Sequence, residues 1–335
     1  MNIFLFGDCH SNSGPSNVNK EIIRNSNDKI SYMKKNNKFL KIFELIYKFT
    51  ISKVIIFSGY GKYNLLMSKL SNIFNKKTIY IMHGCIKYEN EINNLKIEKK
   101  TIENEIKFIK NVKLVLCVSE NYSKWVKNYY KLDNGISFLN NGTPIMPNLK
   151  KVKKKNNKEI YKIVLIGGNR NIKNNKIVCD VIDELIDDGY RIELKIFGRV
   201  YVDNENIISK NALKSGMVPH EKLCEELENS NLYISKSIVE SFNLSVFDAL
   251  YSGCDILLSK NVGALSVIET NNHDIINDCM DRKEIKEKII YIMKHSNCER
   301  IIDSISEESN WENSTLKLLE YCKNMMGKCH EKNNK

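Results

Sequence analysis

Residues 231–259 read NLYISKSIVESFNLSVFDALYSGCDILLS. NLYIS (231–235) and DILLS (255–259) are short apolar runs of strand length. NLSVFDALYSG (243–253) reads as a helix that stops at Gly253. Strand, loop, helix, strand is the unit of a parallel sheet with helices on its faces. Glu240 falls in the loop leaving the first strand, and Asp248 in the first or second turn of the helix. Such sheets bind ligands beyond the C-terminal ends of their strands, so a carboxylate in that loop points at the ligand.

The same alternation runs outward in both directions. NIFLF (2–6), KVIIF (53–57), TIYIM (78–82), KLVLCV (113–118) and ISFL (136–139) are candidate strands. FLKIFELIYKF (39–49) and ENYSKWVKNYYKL (120–132) are helix-like segments among them. NNGTPIMPNLKKVKKKNNKE (140–159) holds two of the four prolines and a charge run, and is the expected linker. Strands resume with YKIVLIGG (161–168) and RIELKIFG (191–198), and helices are expected near 173–187, 218–230, 281–295 and 311–326. The expected fold is α/β, with two Rossmann-like, doubly wound domains facing a central cleft. Residues 1–150 form the first, 151–310 the second, and 311–335 a closing helix and tail.

The chain has 335 residues, 42% hydrophobic and 27% charged, which suits a soluble globular protein of two ordinary domains. The opening MNIFLFGDCH lacks a basic n-region and reads as a buried strand, not a signal peptide. No run reaches the roughly 20 apolar residues of a membrane span. The ten cysteines include no CxxC pair, so reduced, packed thiols in a cytoplasmic protein are expected. A net charge of +12 suits phosphorylated ligands and peripheral contact with an anionic membrane surface. Nucleic acid has only the charge in its favour, and none is expected as a partner.

Four loops after strands carry candidate chemistry. The start of the helix at Asn243, Leu244 and Ser245 offers backbone N–H groups to an anion. Asp248 beyond it is placed to accept from two ribose hydroxyls. GGNRNIKNNK (167–176) puts Arg170, Lys173 and Lys176 at a helix start, where cations cost stability unless an anion lies among them. Gly167 and Gly168 permit close backbone approach. GDCHSNSGPSN (7–17) carries His10, Gly14 and Pro15, with Ser16 or Asn17 the expected helix cap. MHGC (82–85) ends a strand with His83 placed to touch a substrate.

Together these loops resemble family 4 of the glycosyltransferases, retaining enzymes of the GT-B fold. ESFNLSVFD (240–248) is similar to the family's pair of acids separated by seven residues. The stretch 214–269 follows the family pattern nearly end to end; MHG, VSE (118–120) and NNGTPI (140–145) resemble its N-terminal landmarks. WENSTLKLLEYCKNM (311–325) resembles the family's last helix, which returns to the first domain. Three departures stand out. Asp248 is one methylene shorter than the family's second Glu. Ser241 and Asn243 replace the glycines flanking the motif's Phe, and Asn is the better tolerated in left-handed backbone. Gly14-Pro15 replaces a double glycine.

The resemblance implies transfer of a sugar from a nucleoside diphosphate sugar, UDP-sugar favoured, to a glycan, lipid-linked or other acceptor, with retention. No cofactor and no metal is implied. Glu240 would hold the transferred sugar, with His83 contacting it from the other domain. Arg170 and Lys173 or Lys176 would hold the diphosphate; the spacing leaves open which lysine. Asn243, Leu244, Ser245, Asp248, Gly168, Met217 and Val218 would complete the donor site. Gly14, Pro15 and His10 would border the acceptor. A nucleotide-sugar 2-epimerase of the same fold, or a non-catalytic subunit that binds nucleotide sugars, are the rival readings.

Overall fold

Val54, Ile55, Ile56 and Phe57 are all fully buried. A strand buried on both faces belongs inside a parallel sheet covered by helices. The computed structural model describes residues 2–11, 13–35, 37–132, 135–144, 160–199, 209 and 211–327. The expected linker therefore lies outside the described residues from 145 onward. The chain divides into two compact units, Met1–Thr143 with Glu308–Lys335, and Pro144–Glu307.

In the first unit the chain alternates through β1 (Ile3–Gly7), α1 (Gly14–Arg24), β2 (Ile30–Tyr32), α2 (Lys38–Ile51), β3 (Val54–Ser58) and α3 (Asn64–Ile73). It continues with β4 (Lys77–Met82), α4 (Ile86–Asn93), α5 (Lys99–Asn111), β5 (Leu114–Cys117), α6 (Glu120–Tyr130) and β6 (Ile136–Phe138). The strands form one parallel sheet in the order β2-β1-β3-β4-β5-β6. The order reverses between β1 and β3.

The second unit runs β7 (Tyr161–Ile166), α7 (Asn175–Asp187), β8 (Ile192–Phe197), β9 (Ala212–Gly216), α8 (His220–Glu228), β10 (Leu232–Ser235) and α9 (Ser245–Tyr251). β11 (Asp255–Ser259), β12 (Ile275–Ile276), α10 (Arg282–Lys294) and α11 (Cys298–Asp303) follow. Its parallel sheet has the order β12-β11-β10-β7-β8-β9, with the reversal between β7 and β10. Ile163, Leu165, Leu194 and Ile234 from the strands pack on Val178, Ile182 and Leu185 of α7, all at most 1% exposed.

The last helix, α12 (Trp311–Gly327), packs on α1 of the first unit. Ser314 donates to the Asn140 carbonyl (2.7 Å), and Tyr321 Oη lies 2.8 Å from Ser137 Oγ. Gly142 lets the chain meet the helix start: a Cβ there would lie 2.4 Å from the Trp311 backbone. The described cysteines are all free and mostly buried. Among the described residues no helix is long and apolar enough to cross a membrane.

Candidate active site

A sheet whose strand order reverses opens a crevice where neighbouring loops diverge, and ligands of such folds bind there. In the second unit that point lies beyond β7 and β10. Their exit loops carry Arg170 and Lys173 on one side and Glu240 on the other. The structure brings these three charges together. Lys173 Nζ forms an ion pair with Glu240 Oε2, both side chains 15% exposed. Ser237 Oγ donates to the same oxygen (3.0 Å). Burial raises the Glu240 pKa, but Lys173, Ser237 and Arg170 outweigh it and hold the carboxyl below its ordinary value.

The backbone fixes this arrangement. Ile238 N–H donates to the Ile172 carbonyl (2.9 Å), tying the two loops together. Gly263 N–H donates to the Glu240 carbonyl (3.1 Å), and Ala264 N–H to that of Phe242 (2.7 Å). The anion expected among the cations is thus present without a ligand: it is Glu240. Lys176 instead pairs with Asp180 one turn on and is exposed, so the geometry favours Lys173.

Asn243 takes the left-handed conformation expected of it, with φ 78°. Its side-chain amide donates to Ser235 Oγ (2.7 Å), which anchors the turn. α9 starts at Ser245 with no side-chain cap. Among the described residues, the amides of Asn243, Leu244 and Ser245 donate to no protein acceptor. Gly168 is buried, and its Cβ position lies 1.9 Å from the Arg199 carbonyl oxygen. Loop packing by itself therefore demands glycine there. Met217 is 76% exposed just past β9, and Val218 follows it. Pro219 is the cap residue before α8.

Asp248 is not free. His220 Nε2 lies 3.2 Å from Asp248 Oδ1, and this hydrogen bond raises the imidazole pKa. Cys224 Sγ is 3.7 Å from the same ring nitrogen. These three are the group among the described residues whose spacing would suit a metal.

The first unit's reversal point, beyond β1 and β3, opens into a cavity of about 1080 Å³. Pro15 and His10 line it, and His10 Nε2 is 3.0 Å from the Met33 carbonyl oxygen. Gly14 opens α1 and is not among the lining residues. Ser13, not Ser16 or Asn17, caps this helix by accepting from Ser16 N–H (3.3 Å). Pro15, with its fixed φ, occupies the first turn, which moves the cap upstream.

His83 also lines the cavity, and its hydrogen bonds define its tautomer. Asn19 Nδ2 donates to the Asp8 carbonyl (2.7 Å), which leaves Asn19 Oδ1 to accept from Ser58 Oγ. Ser58 has then used its one proton and accepts at 2.8 Å from His83 Nε2–H. His83 Nδ1 remains as an acceptor, with no protein partner among the described residues. Burial lowers the imidazole pKa to about 4, so the ring is neutral at physiological pH. The loop after His83 is anchored by Glu105, which accepts from Ile86 N–H (2.8 Å), Lys87 N–H (2.9 Å) and Tyr130 Oη (2.9 Å).

Residues 147–308 match the family described as glycosyl transferases group 1. No curated protein matches the chain by sequence. Solved structures match it closely in fold. HepE (Alr3699) of Anabaena, in complex with UDP, is 11% identical with TM-score 0.70, covering 97% of this chain and all of that one. Sucrose-phosphate synthase of Thermosynechococcus elongatus is 14% identical with TM-score 0.61, covering 89% and 81%. A trehalose-6-phosphate protein of E. coli bound with UDP-2-fluoro glucose is 10% identical with TM-score 0.63, covering 95% and 98%. The fold is GT-B, two Rossmann-like domains; the family match and this fold together support a glycosyltransferase.

Asn19, Ser58 and Glu105 escaped the sequence reading; so did Lys236, at the exit of β10 in the second unit. Lys236 is fully buried, and its Nζ has no hydrogen-bond partner among the described residues. Burial lowers its pKa to about 8. An unpaired buried ammonium is costly, and methionine has a similar shape without the charge. Lys236→Met is expected to raise unfolding free energy by about 1–3 kcal/mol in denaturant titration. A loss of stability instead would show that the ammonium holds a partner.

Proposed function

We propose that the chain is a family 4 enzyme that moves a sugar from a nucleoside diphosphate sugar, UDP-sugar favoured, to a hydroxyl acceptor, with retained configuration and without a metal. The observation that carries this reading is the meeting of Arg170, Lys173 and Glu240 at the reversal point of the second unit. Two cations and one carboxylate, partly buried, suit a ligand with two phosphates and a polyhydroxy ring. The HepE and E. coli structures, which hold UDP or a UDP-sugar analogue, support the choice of donor.

In the proposed mechanism the diphosphate takes over Lys173 and Arg170. Glu240, released from its ion pair, accepts hydrogen bonds from the sugar's hydroxyls. The amides at 243–245 add donors to the phosphate. The C1–O bond to the diphosphate breaks as charge builds on the leaving oxygen, where fixed cations stabilise it most. The acceptor oxygen bonds to C1 on the same face, and its proton passes to that leaving oxygen. Asp248 accepts from the ribose once His220, 64% exposed, swings aside. Met217 and Val218 border the base. The acceptor occupies the cavity lined by His83, Pro15 and His10, where His83 Nδ1 accepts from one of its hydroxyls.

A panel of nucleotide sugars scored by thermal unfolding tests this. The true donor at about a hundredfold its Kd should add about 2.7 kcal/mol of stability. Arg170→Ala should cut its turnover by about 10² or more. Stabilisation by no nucleotide sugar would reject the donor site. Binding without hydrolysis or transfer would favour a non-catalytic subunit, the reading that the occupied Asp248 keeps open.

A further inference from the structure

A helix that covers a sheet normally buries one face. α2 does not: none of residues 39–51 is buried. Phe39, Phe43, Ile46 and Tyr47 are 78%, 70%, 58% and 63% exposed. The surface continues to the end of α3, where the cap residue Phe74 packs edge-on to Phe49 of α2 and is itself 63% exposed. An apolar face this wide on a folded unit marks a binding surface.

Its charge says what covers it. Residues 34–77 hold ten lysines and one acid, Glu44, a net of +9 where the whole chain carries +12. Glu44 is occupied by Lys48 and by the amides of Lys34 and Lys35. Lys35, Lys41, Lys62 and Lys69 are exposed. Aromatic and aliphatic side chains ringed by lysine suit the interface of an anionic bilayer. A second copy would bring the same charge and be repelled. The face also meets the cavity: Ile42 and Leu66 line it while 56% and 57% exposed, so they stand at its mouth.

We propose that the α2–α3 face docks on an anionic lipid surface, and that the adjoining cavity takes a lipid-linked acceptor from it. The acceptor half rests on the sugar-transfer reading above; the docking half does not. Flotation with phosphatidylglycerol vesicles, against phosphatidylcholine vesicles, tests it. Phosphatidylglycerol should bind the protein at least ~10-fold better, and K35E/K69E should weaken that binding at least ~25-fold, at ~5-fold per lysine. F43E/Y47E should abolish it while leaving the melting temperature unchanged, since both side chains are exposed. Equal binding to the two lipids, no binding, or binding indifferent to F43E/Y47E overturns the proposal. A dimer in sedimentation velocity that F43E/Y47E dissolves, without vesicle binding, assigns the face to a second copy and also overturns it. UDP-glucose stabilisation of the same variants in buffer should match the unaltered protein. If vesicles bind but no nucleotide sugar does, docking stands and the donor reading falls.

Discussion

Lys173→Met should lower sugar-transfer turnover by about 10² or more and destabilise the protein by about 3–5 kcal/mol. Two separate causes lie behind the two numbers. Lys173 and Glu240 are each 15% exposed, and Lys173 is the nearest compensation for the carboxylate. Removing the ammonium leaves a buried charge whose other supports are Ser237 and the more distant Arg170. Breaking a buried pair from one side costs far more than the pair is worth, because the orphaned ion keeps its desolvation penalty. The turnover loss arises instead when the leaving diphosphate lacks a fixed cation.

The double variant K173M/E240L separates the causes. With both charges gone and similar volumes retained, stability should return to within about 1–2 kcal/mol of the starting protein. Turnover should stay lost, since neither the phosphate contact nor the sugar contact is restored. Denaturant titration reads the first quantity, and hydrolysis or transfer of the donor reads the second. If turnover recovers with stability, the pair is only a structural bridge between two loops and the diphosphate sits elsewhere. A carboxylate held below its ordinary pKa also fixes a sign. Glu240 contributes stability above the unfolded carboxylate pKa, and loses that contribution as pH falls through its lower folded value.

The alternation of apolar runs with helical spacing exposed the long central strands, because a strand buried on both faces can contain little else. Ile30–Tyr32, Ala212–Gly216 and Ile275–Ile276 were missed for the complementary reason. All three are edge strands, short or polar, where one side faces no partner strand. Arg170, Lys173 and Glu240 were legible because loops after strands are where such folds bind ligands. Their mutual pairing was not, since 67 residues separate Lys173 from Glu240. The same limit hid the chain Asn19–Ser58–His83, whose members come from α1, β3 and the end of β4. The segment at 39–49 read correctly as a helix, but its spacing gave no sign that the apolar side would be left uncovered.

His83 should make stability rise with pH between about 4 and the ordinary histidine value of 6.5. The sign follows from proton counting. Above 6.5 the ring is neutral in the folded and unfolded chain alike. Between the two values the unfolded chain binds a proton that the folded one refuses, so folding weakens as acid is added. Below about 4 both forms are protonated and the loss is complete. The gap corresponds to about 3 kcal/mol at most. Carboxylates such as Glu44 and Glu284, each held near 2, titrate lower and add their own loss further into acid. His83→Asn isolates the imidazole, because its amide can still donate to Ser58 Oγ while lacking a titrating proton. Denaturant titrations of both proteins at several pH values should give curves that diverge across this window and run parallel above it. Parallel curves throughout would mean that His83 charges in the folded state at its ordinary pKa. In that case Ser58 would not be accepting from Nε2 of a neutral ring, and Nδ1 would not be the acceptor facing the cavity.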